Sequence, residues 1–207
     1  FVNPAIIIKH GKFVKVKPLD SVTYCYCRAI GKQKCFNESN HPECYTFFHY
    51  YDNMGLKDVK TYAGFPQHSF DKIMTMIELG FGSSKDMDYN GIKIAPVEFL
   101  TEVLKNLPIP QGYKETENLW VSIEGKKDGK NKNIKMECVV PTLKGWEDAG
   151  CNVDTGMPAS IIAQMVKNDI IGGRGSFAPE AIVPPEIFFK ELKKRKMVVY
   201  ENGKIIN

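Results

Sequence analysis

Apolar and polar positions along this chain follow two periods, and the change from one to the other marks out its elements. The short apolar runs at residues 5–8 and 13–16 predict a hairpin around His10-Gly11, and residues 22–27 predict another strand. Residues 31–57 carry Gly31, Asn37, Asn40, Pro42, Asp52, Asn53 and Gly55 among aromatics, and read as a long loop with short pieces of structure. Residues 59–62 predict a strand. A helical period then runs from Ser69, whose hydroxyl can cap, through Ile73, Met74, Ile77 and Leu79 to Gly80. Pro96 opens a second helix, with Val97, Leu100, Val103 and Leu104 on one face, which ends before Pro108. Residues 119–124 and 134–140 pair across a charged loop.

The most informative stretch is Asp154-Thr155-Gly156-Met157-Pro158-Ala159, followed by Ser160-Ile161-Ile162-Ala163 and then by Gly172-Gly173-Arg174-Gly175 and Ala178-Pro179-Glu180. Gly156 can turn the backbone, Pro158 suits a first helical turn, and Ile161, Ile162, Met165 and Val166 supply an apolar stripe. A capped helix over residues 157–167 is expected, with Thr155 as its cap and the glycines at 172, 173 and 175 as its stop. A further helix follows Pro184-Pro185, and residues 197–200 and 204–206 close as a hairpin on Asn202-Gly203, a type I′ signal. Hairpin neighbours interspersed with helices predict an α+β fold: one mixed, mostly antiparallel sheet with helices packed on one face. A chain of 207 residues is long enough for one sizeable core, so a single domain spanning 1–207 is expected.

Composition narrows the function classes. No run of about 18 apolar residues occurs, which argues against a membrane span. The formal net charge of +4 is small, and the densest basic cluster, Lys193-Lys194-Arg195-Lys196, falls at a helix end where cations complement the dipole. Without interleaved aromatics on a wide basic face, no nucleic-acid partner is expected. The basic stretch between Lys126 and Lys135 reads as a solvated hairpin loop. Six cysteines invite a metal or disulfide reading, but Cys25-x-Cys27 lacks a second close pair; reduced, mostly buried thiols in a cytoplasmic protein fit better, with no metal.

The Thr-Gly-x-Pro-Ala helix followed by glycines and a Pro-Glu pair resembles the closing segment of the saccharopine dehydrogenase family, which includes the NAD-dependent lysine 6-dehydrogenases. Asn3-Pro4-Ala5 with Val16-Lys17-Pro18-Leu19 is similar to the hairpin by which the family chain enters its second domain. His41-Pro42-Glu43 with Thr46 resembles the family's His-x-Glu and threonine segment, Lys60-Thr61-Tyr62 with Pro66 and His68 its threonine, proline and histidine stretch, and residues 122–130 its central strand and turn. Two departures stand out. Where the family carries an arginine before its proline, this chain reads Ala63-Gly64-Phe65-Pro66, and no Gly-x-Gly-x-x-Gly follows an apolar strand. The chain begins with Phe1, and together these features suggest the second domain of a two-domain enzyme whose dinucleotide-binding half lies elsewhere.

The resemblance implies oxidation at the CH–NH group of lysine, saccharopine or a related amine, with NAD or NADP bound by the other half and none held tightly here. It implies an amino-acid substrate and a homodimer whose contact uses an open sheet face or the aromatics Phe47, Phe48, Tyr50 and Tyr51, which equally suit a core. Glu43 and His68 become candidate catalytic residues: Glu43 to pair a substrate ammonium, His68 to move a proton. His41, Thr46, Thr155 and Arg174 become candidate substrate contacts. Each has a plainer alternative, as a solvated loop acid, a hydrogen-bonded histidine, a helix cap or an exposed arginine. Two other functions stay open: a binding or assembly module on the same scaffold, consistent with the missing guanidinium, and a dehydrogenase for another amine or a polyamine precursor.

Overall fold

A computed structural model describes residues 3–17, 19, 22–37, 41–108, 112 and 114–207, with the side chains of 148, 149 and 151 left aside. It contains two compact units: Phe1–Cys25 with Lys32–Gln111, and Tyr26–Gly31 with Gly112–Asn207.

In the first unit, β1 (Ala5–Lys9) and β2 (Lys12–Val16) pair antiparallel with Ile7 opposite Val14. Ala5, Ile7 and Ile8 are buried, so this hairpin presents its first strand to the core. Strands β3 (Thr23–Cys27), β4 (Gly31–Asn37) and β5 (Tyr62–Phe65) follow in the order β3-β4-β5. Between β4 and β5 stands α1 (Glu43–Tyr51), closed by a 3-10 turn at Asp52–Met54 and by Gly55 in the left-handed region at φ 83°. The unit continues through α2 (Gln67–Glu78), the hairpin β6 (Met87–Tyr89) and β7 (Ile92–Ile94), and α3 (Pro96–Lys105).

Among the described residues of 31–57, β4, α1 and the 3-10 turn stand in place of the expected long loop, and Asn40 lies outside the described residues. Asn37 ends β4, Pro42 is the residue before the helix and Gly55 the one after its 3-10 extension. The strand expected at 59–62 divides. Val59 makes a single bridge, exchanging N–H···O=C bonds with Ile8 at 2.9 and 3.0 Å, while Tyr62–Phe65 pairs with β4. Helix α2 starts two residues ahead of Ser69, at Gln67, with Pro66 before it and no side-chain cap; the Ser69 amide is already taken by the Pro66 carbonyl at 3.0 Å.

The second unit is built on a four-stranded antiparallel sheet of β8 (Thr116–Lys127), β9 (Lys130–Pro141), β10 (Val198–Glu201) and β11 (Lys204–Ile205), ordered β11-β10-β9-β8. Its helices are α4 (Val153–Lys167), the single turn α5 (Pro179–Ile182) and α6 (Pro185–Lys194). Ile161 and Met165 of α4 and Leu192 of α6 join Val140 and Val199 of the sheet in one buried cluster. The class is α+β with antiparallel pairing, as expected, but distributed over four sheets among the described residues. Four hairpin loops, His10-Gly11, Asn90-Gly91, Asp128-Gly129 and Asn202-Gly203, have both central φ angles positive, which is the type I′ turn that matches strand twist.

Helix α4 departs from expectation at both ends. It begins at Val153, whose side chain is 3% exposed, because burying that residue extends the helix upstream of the Thr-Gly pair. Thr155 is the third helical residue and not the cap, Gly156 does not turn the chain, and Pro158 lies inside the helix. The helix stops before its glycines: Asp169 takes φ 55°, the Ile170 amide reaches the Met165 carbonyl at 2.9 Å and the Asp169 amide reaches Val166 at 3.1 Å. That is a Schellman stop with aspartate in the left-handed position.

Candidate functional site

The opening of α1 gathers three of the candidate residues. His41 Nδ1 donates to Glu43 Oε2 at 3.0 Å, with both side chains about two-fifths exposed (38% and 41%). Pro42 lies between them and leads into the helix, and Glu43 in the first turn also suits the positive end of the helix dipole. Thr46 follows at i+3 and so shares the Glu43 face. The opposite side of the helix is anchored. Cys44 is fully buried with its Sγ 3.8 Å from the Val59 carbonyl, and Phe13 packs between Tyr45 and Phe48 at centroid distances of 5.2 and 5.1 Å. Burial, offset in part by a hydrogen bond with the Ile8 backbone and reinforced by the Glu43 charge, pushes the Cys44 thiol above its ordinary value, so it packs as a neutral group.

A carboxylate accepting from Nδ1 fixes the imidazole tautomer and makes Nε2 the acceptor nitrogen of the neutral ring. This arrangement can take a proton from an ammonium and hold the resulting imidazolium beside a counter-charge. His68 is exposed in the first turn of α2. The departure from the family arginine falls on β5, where Ala63, Gly64 and Phe65 pair with Phe36, Cys35 and Lys34. Phe47, Phe48, Tyr50 and Tyr51 are half-buried residues of α1, neither enclosed nor fully open.

Thr155 and Arg174 belong to the second unit and are exposed. The Thr155 hydroxyl donates to its neighbour Asp154 Oδ1 at 3.0 Å. Arg174 stands between Gly173 and Gly175, at φ 99° and 139°. A Cβ added to Gly173 would meet nothing, and one on Gly175 would meet the Phe177 ring at 3.1 Å, so Gly175 makes room for a phenyl ring. The helix that follows is one turn long. Gly172 to Gly175 therefore do not form a cradle that a dinucleotide pyrophosphate fits. A groove of about 420 Å³ lies between α6 and the C-terminal hairpin, lined by Pro185, Glu186, Phe189, Lys190, Glu201 and Ile206, and none of the six candidates lines it.

A second charged cluster escaped sequence reading. Glu137 on β9 is 6% exposed, and its Oε1 accepts from Lys135 Nζ at 3.0 Å, Asn118 Nδ2 at 3.1 Å and the Arg28 amide at 3.1 Å, while Arg28 Nε lies 3.7 Å from Oε2. The Arg28 guanidinium also covers the Tyr200 ring at 4.2 Å. Burial alone would raise this carboxyl, but the three donors outweigh it and hold it below the usual range. The signal was present in the sequence: a lone acid inside the apolar run Met136 to Val140, next to Lys135. Its enclosure marks it as a tie within the sheet, not a substrate group.

Against this geometry, residues 1–198 match the model of the saccharopine dehydrogenase C-terminal domain. The chain belongs to the saccharopine dehydrogenase family. The match spans residues of both compact units. In this saccharopine dehydrogenase C-terminal domain the basic run at the end of α6 is partly neutralised within the helix, since Glu191 accepts from both Lys194 and Arg195. Cys27, Cys35 and Cys44 are buried, Cys25 and Cys138 half-buried, and burial followed by the Asp154 charge pushes the Cys138 thiol up to about 11. Among the described residues, no group of three or more His, Cys, Asp or Glu is placed to hold a metal, and no helix is long and apolar enough to cross a membrane.

Proposed function

We propose that this domain is the substrate-side and assembly half of an NAD(P)-dependent oxidoreductase acting on the CH–NH group of lysine, saccharopine or a related amine. Family membership supports the oxidoreductase context, and the His41–Glu43 pair with Thr46 on one helix start carries the assignment of a role to this half. Glu43 meets the substrate ammonium, His41 takes a proton through Nε2, and Thr46 supplies a hydroxyl along the same face. Thr155 and Arg174 are further substrate contacts, and His68 a second proton carrier. On this reading hydride acceptance belongs to a nicotinamide bound by another half, and this half grips and orients.

A second reading draws on one observation. Ala63-Gly64-Phe65 on β5 places no guanidinium where the family carries one, which favours either a different amine, such as a polyamine precursor, or a scaffold kept for binding alone. The test is to join the domain to its nucleotide-binding half and follow nicotinamide reduction with lysine, saccharopine and other amines. Turnover of lysine or saccharopine that falls in a His41→Ala variant supports the first reading. Cofactor binding with none of these amines oxidised overturns it.

A further inference from the structure

The core face of β10 ends on an acid. Val199 and Glu201 alternate onto one face of the strand, opposite Cys138 and Met136 of β9, and Val199 is buried in the cluster it shares with α4 and α6. Where that row continues, the chain holds Glu201, half-buried, in place of another apolar side chain. On α6, Glu186, Phe189 and Lys190 stand at i, i+3 and i+4 and so share one helical face. With Pro185 and Ile206 these residues line the groove of about 420 Å³, a size within the range of small-molecule sites.

The walls of the groove are held without using its charges. Asn207 Nδ2 donates to the Phe189 carbonyl at 3.2 Å and to the Met197 carbonyl at 2.9 Å, and its Oδ1 accepts from the Val199 amide at 2.9 Å, so one side chain ties α6 to β10. The Ile206 amide donates to the Val199 carbonyl at 3.0 Å and fixes the wall beside it. Lys194 and Arg195, the next cations along α6, are taken by Glu191. Glu186, Lys190 and Glu201, by contrast, form no ion pair and no side-chain hydrogen bond among the described residues. Two carboxylates and one ammonium thus stand unpaired around an apolar floor of Pro185, Phe189 and Ile206.

We propose that this groove binds an α-amino acid whose aliphatic stem ends in a second ammonium group, of the lysine or ornithine kind. Lys190 takes the carboxylate, Glu186 and Glu201 take one ammonium each, and the methylenes lie on Phe189, Pro185 and Ile206. Charge decides the class. Such a ligand carries two cations and one anion, the complement of the groove, whereas an amino acid with an uncharged side chain leaves one acid unpaired and a plain diamine leaves Lys190 unpaired. The groove belongs to the second unit and the His41–Glu43 pair to the first, so this is an amino-acid site additional to the one proposed above and does not rest on it.

Amide chemical shifts of the isotope-labelled chain, titrated with L-lysine to about 20 mM, test it. Saturable shifts with a Kd of roughly 1 mM or tighter are expected at Phe189, Lys190, Glu201 and Ile206. Norleucine, which lacks the second ammonium, and cadaverine, which lacks the carboxylate, should each bind about tenfold more weakly or worse. Glu201→Gln and Lys190→Ala should each weaken lysine about tenfold while thermal unfolding is unchanged, and the groove shifts should persist in His41→Ala. Should Glu201→Gln disturb folding, Lys190→Ala, at an exposed helix position, carries the test alone. Shifts confined to the α1 residues, or no saturation at the groove, overturn the site and leave the substrate assignment untouched. Cadaverine bound as tightly as lysine overturns the amino-acid class, because Lys190 then has no part in recognition.

Discussion

Glu43 and Glu137 are both carboxylates with a nitrogen donor at 3.0 Å, and their surroundings give them opposite uses. Glu43 opens a helix with about two-fifths of its side chain in water and with His41 as its partner. Glu137 lies mid-strand with 7% of its side chain exposed and accepts from three residues on three different segments. Desolvation costs the second far more, and only its ring of donors keeps it ionised. The difference teaches that ion pairing does not by itself mark a site: a carboxylate whose bonds are saturated by the fold has little left to offer a ligand, while one beside a single titratable partner does.

Removing each charge separates the two roles. Glu137→Gln leaves Lys135 and Arg28 without their buried counter-charge and should cost about 2 kcal/mol of stability, a value kept modest because both cations are partly solvated; urea unfolding measures it. The pH dependence has a fixed sign. A carboxyl held lower in the folded chain than in the unfolded one adds stability above its unfolded value, about 4.3, and that contribution disappears as pH falls through the folded value. The stability gap between the native chain and Glu137→Gln should therefore be flat near neutrality and shrink below about pH 4. A gap that stays constant into acid would show that Glu137 acts through shape and not charge.

Glu43→Gln should reverse the balance. An exposed pair contributes about 0.5 kcal/mol or less to stability, so the unfolding curve should barely move. In the protein joined to its nucleotide-binding half, losing a charge-assisted contact to a substrate ammonium should lower kcat/KM by roughly 10- to 100-fold. A comparable loss of stability with unchanged turnover would make the pair a helix-start tie and remove the one cluster on which the substrate role stands.

Much of the architecture was legible because hairpins announce themselves. Asn202-Gly203 and His10-Gly11 signal turns in the sequence, and the Asn90-Gly91 pair marks the small β6–β7 hairpin. The regions misread were those where one local signal has two meanings. Pro42, Asn53 and Gly55 look like loop residues until the helix they enclose is seen, because Glu43 to Tyr51 is aromatic-rich and its stripe is set by packing on Phe13, a contact from a distant strand. The buried acid at 137 was missed for the same reason: its donors, Arg28 and Asn118, come from far along the chain. Of the candidate site, His41 and Glu43 are legible as members of one short motif, but nothing in the sequence shows that they pair, or that Thr155 lies inside a helix whose start is set by burial of Val153.

That last point makes Gly156 the sharpest small test. It occupies the fourth position of α4 with helical backbone, and an added Cβ would meet no atom within 4 Å. On helix propensity alone Gly156→Ala should stabilise the chain by about 0.5–1 kcal/mol, read from thermal or urea unfolding. A loss of stability would mean that the backbone there is not helical in solution. The resemblance that made Thr155-Gly156 prominent gives the substitution a second readout. If a ligand approaches this turn, the missing side chain is what lets it in, and the more stable variant should turn over substrate more slowly; if the glycine serves only the helix, activity is unchanged and the functional surface contracts to the start of α1.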